Sequence, residues 1–210
     1  FVGKDISAIW DHEFIGIWQE DEAEEAAKYG QQPGDAKVRD VNGDYKITQE
    51  DKVFLGQETP KFRWSFRNEF TLFRNWDISL NLYSQMGHKQ STTEYLNFFD
   101  NLGDYSNTYK REYWTPENKS NSYARLKSTR PSNINPKKVI NKGFIRLENI
   151  SVSYRVPQQF ARKLMAKEIS IYGTVRNVAV WAFDKEWDYW DPETKGLLPR
   201  TFTFGASITF

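Results

Sequence analysis

Residues 201–210 read TFTFGASITF, placing Phe202, Phe204, Ile208 and Phe210 on one parity and small or polar side chains on the other. A period of two with one apolar side is the pattern of a strand whose two surfaces meet different media. The sequence stops on an aromatic with no polar tail, which predicts a strand pinned at a sheet edge, the way outer-membrane barrels finish and close. Phe202, Phe204 and Phe210 are the residues expected to close such a wall.

A helical membrane protein is excluded, because a spanning helix needs about 20 consecutive apolar residues and the sequence has no such run. A transmembrane barrel hides its hydrophobicity in alternation. The 16% aromatic content of an otherwise polar chain is compatible with that. With 29 basic and 28 acidic residues, no net field draws the chain to nucleic acid. The absence of cysteine removes disulfides and thiolate metal sites without choosing a compartment. The sequence opens FVGKDISAIW, with neither an initiator Met nor a signal peptide, and reads as the tail of something longer or a processed piece.

The clearest unit is a hairpin over 62–85. Phe62, Trp64, Phe66, Phe70 and Leu72 share one face of its first strand, with Arg63, Ser65, Arg67, Glu69 and Thr71 on the other. In the second strand Trp76, Ile78, Leu80 and Leu82 oppose Asp77, Ser79, Asn81 and Tyr83. Each strand is as long as the ~9–11 residues a tilted strand needs to cross a bilayer. Trp64 and Trp76 suit interfacial girdles. Arg63, Arg67 and Glu69 are then candidates to face a lumen.

Two further strands are expected within 144–156 and 168–181, and both change phase. Ile150, Val152 and Tyr154 agree with one another, whereas Ile145 and Leu147 sit on the opposite parity; Ile169, Ile171 and Val175 give way to Val178 and Val180. A bulge resets phase in this way, and so does a strand whose ends lie in different environments. Residues 1–18 suggest one strand pair or a strand leading into a loop, and 19–37 a short polar helix followed by a turn. Residues 87–143 show no sustained period and read as long external loops. Residues 161–167 read as a short turn, and 183–199 as a last outer loop. Taken as domains, 1–210 is one segment: a calcium-like loop region at 36–56, the hairpin, the loop region, and closing strands over 144–210. Five or six strands are too few to close a barrel, and open edges in hydrocarbon are costly, so neighbouring strands must come from elsewhere.

Residues 40–51, DVNGDYKITQED, place oxygens at the spacing of a calcium loop: Asp40, Asn42 and Asp44 at positions one, three and five, the Lys46 carbonyl at seven, Thr48 at nine and Asp51 at twelve. Tyr45 replaces the glycine expected at position six, and position twelve is Asp in place of Glu. The expected metal is a structural Ca²⁺; the alternative is an Asx-rich turn that satisfies its own backbone.

No catalytic fingerprint is present. His12 and His88 form no ligand-spaced pair and read as surface or loop histidines, and carboxylate pairs such as Asp188 with Asp191 or Glu20 with Asp21 arise readily among 28 acids. No enzyme is expected. Trp187, Tyr189 and Trp190 are weak candidates for stacking on a sugar or peptide, against the plainer reading that they pack their own loop.

Taken in order, GIWQ at 16–19, PGD at 33–35, DVNGD at 40–44, FLGQETPKF ending at Phe62, YWTPEN at 113–118, FIRLENISVSYRVP at 144–157, VRNVAVW ending at Trp181, DPET at 191–194 and PRTFTFGASITF at the end resemble the C-terminal part of the SusC/RagA-like TonB-dependent outer-membrane transporters. The resemblance covers nearly all of the chain. It implies an all-β fold, the C-terminal antiparallel strands of a barrel of about 22 strands with long extracellular loops. It also implies an N-terminal plug, energy from TonB, uptake of oligosaccharides or peptides, a SusD-like surface lipoprotein, and the outer membrane of a Gram-negative bacterium with its lipid as surroundings. Plug and TonB-contact segment are absent from this sequence. The resemblance gives Phe210 a further role as the terminal aromatic recognised by barrel-assembly machinery. The rivals are a soluble β-rich carbohydrate-binding module with a calcium loop and a secreted glycan hydrolase.

Overall fold

The computed structural model describes residues 2–92, 112–134, 136–187 and 190–210. Along the chain run β1 (Ala8–His12), β2 (Phe14–Ile17), α1 (Ala23–Lys28), β3 (Ala36–Val38), β4 (Lys52–Gln57), β5 (Phe62–Leu72), β6 (Trp76–Met86), β7 (Lys89–Thr92), β8 (Lys138–Asn141), β9 (Phe144–Arg155), α2 (Gln158–Ala161), β10 (Glu168–Ala182) and β11 (Thr201–Thr209). They form two compact units, one from the described residues of 1–59 and 89–141, the other from 60–88 and 142–210.

The second unit is a five-stranded antiparallel sheet in the order β11-β10-β9-β6-β5. β5 and β6 pair from Phe62↔Met86 to Leu72↔Trp76, and the intervening turn takes positive φ at Phe73 and Arg74. Of the two expected phase changes, the one on β9 is a bulge, and the one on β10 does not occur although its register is irregular there. On β9 the register jumps where Asn81 faces Asn149 but Leu82 faces Leu147, leaving Glu148 extra, and Asn81 Nδ2 donates to the Glu148 carboxylate at 2.5 Å. On β10 the jump lies between Arg176 and Ala179, with Asn177 at φ 54°. The β9 bulge lets one apolar face run the length of that strand, Ile145 and Leu147 joining Ile150, Val152 and Tyr154, whereas on β10 the face keeps odd parity throughout, through Ile171, Val175, Ala179 and Trp181. The side continuing the face of Ile171 is therefore Ala179 and Trp181, with Val180 opposite Arg146 on the other side.

Glycine and aromatic residues interlock β10 and β11. Phe204 lies across from Gly173 on one face, Tyr172 across from Gly205 on the other, and a Cβ on Gly205 would overlap the Tyr172 ring.

The first unit is built from two-stranded ribbons, β1 with β4, β2 with β3 and β7 with β8. β1 and β2 thus each pair with a later strand and not with one another. The β7–β8 ribbon gives structure to both ends of the stretch read from sequence as featureless loop, of which 93–111 lie outside the described residues. Its core is small and aromatic: Ile17, Trp114 and Ala124 cluster with Phe14 against them. The Trp18 indole donates to Gln31 Oε1 at 2.9 Å and the Trp114 indole to Gln19 Oε1 at 3.0 Å. Asp35, fully buried, holds Arg125 Nε at 2.8 Å and accepts the amides of Thr129 and Gln32.

Candidate functional site

The two faces of the five-stranded sheet are the chemically informative surface. On one, Phe62, Phe66, Phe70, Leu72 and Trp76 are exposed. At the far side of the sheet Phe202, Phe204 and Phe210 are 60%, 81% and 73% exposed, so this apolar surface packs against no interior of its own. An apolar surface exposed on the outer strands and half-exposed across β6 and β9 is not that of a water-soluble sheet. Trp64 and Trp181 lie in one cross-strand row and Trp76 and Tyr154 in another, with Phe66, Phe70, Phe202 and Phe204 between them. The first row runs through Trp64, Ser84, Ile145 and Trp181; the second through Leu72, Trp76, Tyr154 and Ile171, where Trp76 and Tyr154 stack with centroids 4.7 Å apart. The rows are eight residues apart on β5, about 27 Å along the strand. Tilted as barrel strands are, that is about 20 Å, which lies within the ~25 Å apolar band of an outer-membrane barrel. Ser84, the polar residue in the first row, is buried and donates to the Phe144 carbonyl at 2.6 Å.

The opposite face is polar. Arg67 pairs with Glu69 at 2.5 Å, Thr71 Oγ1 donates to Asp77 at 2.8 Å, and Arg155 reaches Asp77 at 3.0 Å. Ser151 and Thr174 hydroxyls meet at 2.7 Å. A concavity of about 240 Å³ here is lined by Arg67, Ser79, Asn81, Asn149, Thr174 and Arg176 among others. The lumen candidates Arg63, Arg67 and Glu69 all occupy this face by register.

At the end of the sheet bearing the long connections, the polar face carries a buried ionic cluster that the sequence reading did not single out. Arg146 Nη2 donates to Asp191 at 2.6 Å, with side chains 3% and 5% exposed, and approaches Glu193 at 3.3 Å. Glu193 accepts from the Tyr83 hydroxyl at 2.5 Å and Gln85 Nε2 at 3.1 Å. Asp191 also accepts the amides of Glu193 and Thr194 at 2.9 and 3.0 Å, so one carboxylate caps its own turn and holds an arginine. The signal in the sequence was Arg146, a charge inside a strand of otherwise alternating residues, and the DPET segment. Trp187 ends a short 3-10 turn in the same loop and is half-buried, Trp190 is exposed, and Tyr189 lies outside the described residues.

In the 40–51 loop the side-chain oxygens at the calcium spacing accept amides of their own turn. Asp40 accepts the amides of Gly43 and Tyr45 at 2.7 and 2.9 Å, Asn42 that of Asp44 at 3.1 Å, and Asp44 that of Lys46 at 2.8 Å. Asp51, fully buried, accepts the amides of Val41 and Thr48, and Thr48 Oγ1 caps Glu50 N. Tyr45 replaces the usual glycine by adopting φ 63°, the left-handed conformation the turn needs. The Tyr29 hydroxyl donates to Asp40 at 3.3 Å; burial first, then the Asp40 charge, pushes its pKa up to about 12. Burial would raise the Asp51 pKa, but the amides of Thr48 and Val41 outweigh it and hold the carboxyl below its ordinary value. Among the described residues no three His, Asp or Glu side chains converge as a metal site. Nor are the two histidines on the surface: both are buried, His12 with Nε2 2.6 Å from the Thr48 carbonyl, His88 with Nδ1 unpartnered.

An antiparallel wall with strands of 9 to 15 residues, apolar across one face, polar across the other and unpaired at both edges among the described residues, defines a segment of a transmembrane β-barrel. No family model matches the chain. Two proteins of Formosa agariphila do: TonB-dependent receptor P26, 25% identical over all of this chain and 23% of its own length, and TonB-dependent receptor P3, 23% identical over 99% of this chain and 22% of its own. The chain thus spans about a quarter of the length of these relatives. Among solved structures, the RagAB peptide importer in its open-open state superposes with a TM-score of 0.63 over 100% of this chain and 24% of the other, at 14% identity. A RagAB peptide transporter structure gives 0.63 over 97% and 22%, at 15% identity. By sequence the chain is similar to the TonB-dependent receptors, and its fold is that of part of a barrel wall.

Proposed function

We propose that the chain forms part of the wall of a TonB-dependent outer-membrane transporter of the SusC/RagA kind, importing oligosaccharides or peptides with a SusD-like surface lipoprotein in a Gram-negative bacterium. The observation that carries this is the continuous apolar face from Phe62 on β5 to Phe210 beyond β11, backed by a polar face and bounded by two open edges. Apolar side chains meet lipid, and the polar face lines the interior, where the rest of the barrel and a plug engaged by the TonB complex belong. Short connections at 73–75 and 156–167 mark the periplasmic end, the long ones the outer end. Trp187 and Trp190 are candidates to stack on solute from their loop, against the plainer role of packing it.

These 210 residues contain no cysteine, so single substitutions, in a full-length protein with any other cysteine replaced, test the faces directly. In the full-length protein in its membrane, Leu80→Cys and Ile150→Cys are expected to react with a lipid-soluble maleimide and resist a charged one. Asn81→Cys and Ser151→Cys should show the reverse. Equal reaction at all four with the charged reagent, in a chain that stays a folded monomer without detergent, would leave the soluble binding module in its place.

A structural Ca²⁺ on the 40–51 loop is a separate proposal. The spacing of Asp40, Asn42, Asp44, Lys46, Thr48 and Asp51 supports it, and the engagement of their carboxylates with backbone amides weighs against it. Unfolding in the presence and absence of calcium decides: a raised midpoint means the loop rearranges around the ion, an unchanged one means a self-sufficient turn.

A further inference from the structure

Residues 183–200 connect β10 to β11, and the part bearing Asp191 and Glu193 lies against the polar face of the sheet. Its contacts are Tyr83 and Gln85 of β6 and Arg146 of β9, all at the long-connection end. The turn is closed on itself: Asp191 N donates to the Gly196 carbonyl and Lys195 N to the Asp191 carbonyl, both at 2.9 Å, and Pro192 is fully buried. The Arg146 guanidinium is flanked by the Phe144 and Tyr83 rings, 5.2 and 5.8 Å from their centroids, and its Nε already lacks a partner. Swinging the loop away would strip this cation of Asp191 and Glu193, the two carboxylates that compensate it. An arrangement of that kind opposes motion during each transport cycle.

We propose that Arg146 is a positioning residue whose bond to Asp191 holds residues 190–196 as a fixed, inward-folded collar that narrows the outer mouth of the barrel. The loop is then part of the entrance wall, and its width at the level of Tyr83 is set by Arg146. This rests on the polar face being the inner one, which the alternate-face cysteine labelling tests independently: that pattern failing refutes the wall, whereas the collar can fail with the pattern intact.

The test uses the full-length protein in detergent and in its membrane. A nitroxide placed through Gly196→Cys, where a Cβ finds nothing nearer than 4.0 Å, reports loop mobility. The expected result is an immobilised spectrum that becomes mobile with Asp191→Asn, and equally with Arg146→Met. Ser65→Cys, opposite Tyr83 on β5, reports the opening. Its reaction with a polymer-tethered maleimide should rise severalfold in the Asp191→Asn background while reaction with a small maleimide stays constant. A mobile label in the unmodified background, or label and size selectivity both unchanged by Asp191→Asn, would overturn the collar. Asp191 lies in the loop and outside the strands, so that variant stays informative if Arg146→Met fails to assemble.

Discussion

The two units use the same aromatic-rich alphabet for opposite ends. In the first, Trp18 and Trp114 are buried, and each indole N–H finds a glutamine oxygen, because a ring taken out of water must still satisfy its polar atom. In the sheet, Phe66, Phe70, Phe202 and Phe204 carry no polar atom, lie exposed along one face, and have only neighbouring strands for support. Aromatics thus serve as a private core where the surroundings are aqueous and as an outer coat where they are hydrocarbon. What separates the two roles is the environment of the opposite face. Ribbons of the first unit hold their small core with buried ions such as Asp35, whereas the sheet keeps its ions on one side alone.

The sharpest way to break this contrast is at Asp35. Arg125→Met leaves a buried carboxylate with amides but no cation, at an expected cost of about 3–5 kcal/mol. Denaturant unfolding of the chain in detergent, followed by tryptophan fluorescence, measures it, and a second change, Asp35→Leu, should recover part of the loss. Next in size, Leu80→Arg sets a charge in the middle of the apolar face and should cost about 2–4 kcal/mol. Asn81→Arg, one residue along and on the polar face, should cost under about 1 kcal/mol. The fraction folded in lipid vesicles, read as heat-resistant migration on a gel, compares them; equal losses would erase the distinction between faces. A smaller effect is expected at the 40–51 loop, where Asp51→Asn removes one of two acceptors for capping amides, worth about 1 kcal/mol.

The pH dependence there has a definite sign. A carboxyl whose folded pKa lies below its unfolded value stabilises the protein fully above the unfolded value, about 3.9, and loses that contribution as pH falls through the lower folded one. Stability measured from neutral pH downward should therefore hold to about pH 4 and then decline, more steeply in the parent than in Asp51→Asn. A parent profile as flat as that of the variant would deny Asp51 the role.

Where the sequence alternates, it can be read almost to the residue. The Phe62 to Met86 hairpin and the exposed Phe202 and Phe204 follow from period two, and the disrupted parity at Ile145 was itself the trace of a bulge, whereas Val178 and Val180 misled because Ala179 and Trp181 carry the face on. β4, β7 and β8 were not legible, because a ribbon such as Lys89–Thr92 with Lys138–Asn141 has neither an apolar face nor a hairpin turn to announce it. The calcium spacing was visible, but spacing does not reveal that the same carboxylates accept amides of their own turn. The Arg146 cluster stayed hidden for a related reason: its partners lie 45 and 47 positions away, and nothing local to Asp191 or Glu193 names the arginine they meet.

The crossed pairs of β10 and β11 bear on how the wall can be zipped. Sliding β11 by two residues, the smallest slip that keeps its faces, would seat Phe204 on Ile171 or Val175 and Tyr172 on Thr203 or Ser207, with a Cβ beneath each ring where glycine now leaves room. Two notches cut from opposite sides act as a keyed joint, so the strand that ends in Thr209 engages its neighbour at one setting and carries the height of the whole sheet in the bilayer with it.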